Sequence, residues 1–194
     1  MTKTRLGMVV AIVALVVPLA AHADAATRQT ADVFKWNDLT GMPTTNPPTV
    51  VGKASLVRTD DGISMTFRTT ELPAGEPITI WWIILGPGGP VSGQFAAGHV
   101  VGNNGVATFS GHLSEGDTSG CFHPQFPCQG LTDARGQTVL LLARTHGPKD
   151  PGRVPIQIHT SEAGGPTFED DLCPAATPGG DPFCQIQAAL FAGA

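Results

Sequence analysis

The octet ITIWWIIL, Ile78 to Leu85, constrains this chain more than any other stretch. Only Thr79 is not fully apolar, and five of the eight residues are β-branched. That composition favours an extended strand over a helix. Side chains alternate across a strand, so Ile78, Ile80, Trp82 and Ile84 share one face and Thr79, Trp81, Ile83 and Leu85 the other. Neither face suits water. Burial of each large side chain is worth about 1.5–3 kcal/mol, so the octet is expected at the centre of a sheet covered on both sides.

The N-terminus sets the compartment. Lys3 and Arg5 lead an apolar run from Leu6 to Val17, and Pro18 and small residues follow. Ala21-His22-Ala23 and Ala23-Asp24-Ala25 both fit an A-x-A cleavage site, and residues 1–23 read as a secretory signal peptide. The run is shorter than the roughly 20 residues that span a bilayer, and no later stretch reaches that length. Removing Lys3 and Arg5 takes the 11 basic residues to 9, against 16 acidic. An acidic chain without a basic run argues against nucleic acid and anionic membranes as partners. The expected location is secreted, or periplasmic on the cell-envelope exterior.

All four cysteines, Cys121, Cys128, Cys173 and Cys184, lie in the exported part. An even count in an oxidising compartment implies two disulfides, with three connectivities open. The local pairs Cys121–Cys128 and Cys173–Cys184 are favoured, because each staples a Pro/Gly-rich loop.

Residues 24–50 read as an N-terminal segment, with a short strand at 31–36 and a Pro/Thr linker from Gly41 to Thr49. Residues 51–194 read as one domain. Strands are expected at 52–58 and 63–70 around the Asp60-Asp61-Gly62 turn, and at 94–101 and 106–113 around Asn103-Asn104-Gly105. Further strands are expected at 137–145, which is apolar on both faces, and at 154–160; 185–191 is a strand or a helical turn. The fold class is all-β: an antiparallel β-sandwich, or flattened barrel, of about seven to eight strands.

The order of segments resembles a group of secreted bacterial proteins of uncharacterised function. The resemblance rests on Thr79 to Trp82 after a Leu-Pro-x-Gly turn, Gly98 to Phe109, Arg144 to Pro148, and Cys173, Cys184 and Gln187. That group often carries a Cys-containing insertion after the Trp strand, where this chain has only Gly86 to Pro90. The His146-Gly147-Pro148 element is similar to one in CHRD domains, extracellular β-rich modules, but their His-x-His is absent here. Neither resemblance implies a reaction.

Three functions remain in play. The first is a binding or structural module, with Trp81 or Trp82 lining a groove for an extracellular ligand or envelope protein. The second is a copper or zinc site built from His99, His112 and His146. If Asn104-Gly105 turn a tight hairpin, His99 and His112 become diagonal neighbours on one face, at about 7–8 Å. The third is a hydrolase, although the G-x-S-x-G elbow is missing. No catalytic residue is assigned from sequence.

Overall fold

A computed structural model describes residues 25–37, 42–43, 45–121, 127–159 and 185–193. The strands are β1 (Thr27–Asn37), β2 (Met42–Pro43), β3 (Val50–Arg58), β4 (Gly62–Thr69), β5 (Pro77–Gly86), β6 (Gly89–Val100), β7 (Ala107–Ser114), β8 (Thr138–Thr145) and β9 (Gln185–Phe191). A short helix, α1 (Val154–Gln157), precedes β9. Eight strands run in the order β6-β5-β8-β9-β1-β3-β4-β7, and β2 pairs with the end of β1. Every pair is antiparallel. β6 and β7 come together at the two ends of that order, so the sheet curls into a nearly closed barrel rather than two stacked sheets.

The octet lies where its composition demands. β5 sits between β6 and β8, and Pro77 to Ile84 are buried without a break. Ile78, Ile80, Trp82 and Ile84 point into the barrel beside Leu56, Phe67, Phe109 and Leu141. Trp81 and Ile83 point outward, against Leu142 and Ala188. Side chains therefore fill the interior, as a barrel of this strand number requires.

The two ends are closed by different means. At one end Leu131 and Ala134 fold over the core, and the buried Arg58 guanidinium ties three segments together. It donates to Gln29 Oε1 at 2.8 Å, the Ala134 carbonyl at 2.8 Å and the Ala192 carbonyl at 3.1 Å. Burial lowers the pKa of Arg58, against the opposing pull of the Asp133 carboxylate. At the other end Leu72 is held by Leu72 N–H to Gly105 O, at 3.1 Å. Gln187 reaches across the interior there, accepting from the Thr69 hydroxyl at 2.6 Å and donating to Thr70 O at 2.8 Å.

Of the two forms expected, sandwich or flattened barrel, the sheet takes the barrel form. The structure corrects three expectations. The N-terminal segment supplies β1, a full barrel strand between β9 and β3, so the sheet does not begin at residue 51. The strand expected at 154–160 gives way to α1, because Pro155 has no amide for a ladder but is tolerated in a first helical turn. The third correction concerns the tight hairpin at 94–113. Its turn exists, with Gly105 N–H donating to Gly102 O at 3.1 Å. The flanking strands then part, β6 pairing with β5 and β7 with β4. Of the two expected disulfides, Cys121–Cys128 is formed. Cys173, Cys184 and the signal segment lie outside the described residues.

Candidate functional site

The two tryptophans of β5 face opposite ways, as alternation requires, and neither offers a platform. Trp82 is fully buried inside the barrel, and Trp81 is 4% exposed on the outer face. Trp82 lies directly opposite Gln94 of β6. Its Nε1–H and Gln94 Oε1 are buried and have no hydrogen-bond partner among the described residues. A donor and an acceptor held this way each cost about 1–3 kcal/mol. Gln94 also donates to Ser92 Oγ at 3.2 Å, so β6 carries a small polar patch into the interior.

Trp81 begins a polar chain on the outer face. Its Nε1–H donates to Thr79 Oγ1 at 2.8 Å, and that hydroxyl lies 2.9 Å from His146 Nε2. The hydroxyl accepts from the indole, and the imidazole tautomer sets which of the hydroxyl and Nε2 donates to the other. All three side chains are buried, as is Arg144, whose backbone pairs with Thr79. The C-terminal end of α1 covers this corner. A Cβ on Gly98 would sit 2.1 Å from Ile158 O, so only glycine admits the close approach. The His159 ring lies 6.1 Å from that of Phe95, which in turn packs edge-on against Trp81 at 5.8 Å.

The three candidate metal ligands do not converge. His99 points inward from β6 and stacks on Phe109 with ring centroids 4.3 Å apart. Burial holds its pKa below the ordinary histidine value. His112 points outward from β7, opposite Ser64 of β4. His146 lies on the outer face beyond β8. The hairpin that would have set His99 beside His112 does not form a ladder, and the two side chains lie on opposite faces. Among the described residues no group of three His, Cys, Asp or Glu side chains is placed to hold a metal ion.

His112 has serine on both ring nitrogens. Ser64 Oγ lies 2.9 Å from Nδ1 and Ser114 Oγ 3.3 Å from Nε2. In one tautomer Ser64 orients the ring and Nε2 accepts the Ser114 proton, the pairing a serine nucleophile needs. The nearby Asp61 carboxyl is held below its usual range, chiefly by the Thr59 hydroxyl and to a smaller extent by His112. Acyl transfer also needs donors for the developing oxyanion. The amides of Glu115, Gly116 and Asp117, which follow Ser114, already donate to Asp61 O, Leu131 O and Ser114 O. The pair sits exposed on the open sheet.

The outer apolar band was only half legible in the sequence. It runs from Phe95 through Trp81, Ile83 and Leu85, across Leu140 and Leu142, to Ala188, Phe34 and Trp36. Leu190, 50% exposed, and Val50, 52% exposed, extend it. Phe34 and Trp36, with rings 6.0 Å apart, carried a signal in their i, i+2 spacing. Only the sheet order shows that they join the octet. No family model, curated protein or solved structure matches the chain. Among the described residues no helix is long and apolar enough to cross a membrane, which leaves membrane-spanning strands unaddressed.

Proposed function

We propose that this chain is an exported β-barrel module that acts by binding an extracellular or envelope component, not by catalysing a reaction. The outer apolar band carries this reading. Barrel exteriors in water are expected to be polar, and contiguous apolar surface on a soluble protein marks an interaction site. Here the half-exposed Leu190 and Val50 and the partly buried Phe34, Trp36, Leu85 and Leu140 form its accessible part. The basic, apolar and Ala-rich start of the chain and the Cys121–Cys128 disulfide support export. The Ser–His pair at His112 supports a hydrolase less well, because the neighbouring amides are already committed. A copper or zinc site draws no support from the separated histidines.

Co-sedimentation of the oxidised chain with peptidoglycan sacculi, and separately with lipid vesicles, tests the reading. Saturable binding to one of them, weakened at least tenfold by Trp36→Gln with Leu190→Lys, is the expected result. Recovery of the wild type in the supernatant with both, at every concentration, removes it.

A further inference from the structure

The segment after β7 does something that no loop of its length needs to do. It returns to β6 and lies along the edge that β7 leaves open. Phe95 N–H donates to Gly120 O at 2.7 Å, Gly93 N–H to Pro127 O at 3.2 Å, and Gln129 N–H to Val91 O at 3.1 Å. Between these bonded positions Gln94 faces Cys121 and Ser92 faces Cys128, both antiparallel. The register along β6 is therefore continuous: 95, 94, 93, 92 and 91 meet 120, 121, 127, 128 and 129. Cys121 and Pro127, six apart in sequence, thus take consecutive places opposite β6.

The disulfide makes this work. Residues two apart in a strand are separated by about 6.6 Å, at roughly 3.3 Å per residue. Cys121 and Cys128 are seven apart in sequence, yet their Cα atoms are 5.8 Å apart. They stand where residues i and i+2 of one strand would stand. We infer that the Cys121–Cys128 bond is a redox-sensitive splice. Oxidised, it joins two half-strands into a surrogate strand that caps β6. Reduced, it frees the Val91–Phe95 edge.

The neighbouring contacts fit a local splice. Gly130 N–H donates to Ser92 Oγ at 3.1 Å, so the second half-strand also covers the buried polar patch of β6. The first half-strand leads directly from β7 through the tight turn in which Cys121 N–H donates to Thr118 O at 3.2 Å. Among the described residues each half alone offers β6 one or two backbone hydrogen bonds, too few to hold a strand in register against chain entropy. The chemistry is ordinary exchange. A thiolate of an added dithiol attacks one Sγ, the dithiol's second thiol resolves the mixed disulfide, and two cysteine thiols and an oxidised dithiol result. A bare edge is a template for strand pairing, which natural barrels keep covered.

Hydrogen exchange by NMR on the oxidised chain, the dithiothreitol-reduced chain and Cys121→Ser with Cys128→Ser tests this. The expected result is at least tenfold faster exchange of the Gly93 and Phe95 amides in the latter two, with Trp82 and Leu141 amides unchanged. Unchanged protection at Gly93 and Phe95 on reduction would show that hydrogen bonds alone hold the loop, and would overturn the splice. Loss of protection throughout β5 and β8 as well would make the bond a global stabiliser, and would overturn it equally.

Discussion

The outside of this barrel has two unlike halves. Across β1, β3, β4 and β7 the outward residues form polar rows in register. Thr30, Ser55, Thr66 and Ser110 make one, and Asp32, Lys53, Arg68 and Thr108 the next, with Asp32 and Lys53 ion-paired. Across β6, β5, β8 and β9 the outward residues are mostly apolar, Phe95, Trp81, Ile83, Leu142 and Ala188 among them. β1 belongs to both halves. Its Arg28, Thr30 and Asp32 face the polar rows, and its Phe34 and Trp36 face the apolar band, with the register shift between Val33 and Phe34 marking the change. Both halves line the same apolar interior. A strand's inner face therefore says little about its place in this barrel, whereas its outer face says which half it belongs to.

The largest expected effect compares the two halves directly. Trp81→Ala on the dry half should destabilise the chain by about 3–5 kcal/mol in urea unfolding, as much as an interior aromatic truncation. A cost below about 1 kcal/mol would mean that the outer band is surface, not a second core. Next comes the join between the halves, where β6 meets β7. A Cβ on Gly111 would lie 2.8 Å from Ala96 O, so Gly111→Val should cost about 1–3 kcal/mol. Wild-type stability in that variant would show that the join gives way freely. Thr66→Ala on the wet half should move stability by no more than about 0.5 kcal/mol, and a larger loss would reveal the hydroxyl row as structural.

The smallest effect is on pH. Burial holds the His99 pKa below its ordinary 6.5, so the folded chain binds fewer protons there than the unfolded one. The contribution of His99 is then fully present above about pH 6.5 and is lost as pH falls through the lowered folded value. Melting temperature measured from pH 7.5 to 5 should fall less steeply in His99→Gln than in the wild type. Parallel slopes would place the acid sensitivity elsewhere.

The sequence alone determined most of the strands, though not the helix at Val154–Gln157, and which strands are dry on both sides. ITIWWIIL and QTVLLLART lack polar alternation, and both became two-sided strands; ISMTFRT alternates, and it kept one wet face. The Asp60-Asp61-Gly62 turn and the Cys121–Cys128 pair were equally legible, because turn chemistry and short loop closure are local. Tertiary structure alone decided the neighbours. Adjacent strands β6 and β7 declined to ladder, β1 entered the sheet between β9 and β3, and His99 and His112 were thereby sent to opposite faces. The physical reason is that side-chain alternation records the faces of a strand, while its edges present only backbone amides and carbonyls, identical in every strand. Which edges meet is settled by barrel closure and by what covers the gap, and no stretch of sequence carries that by itself.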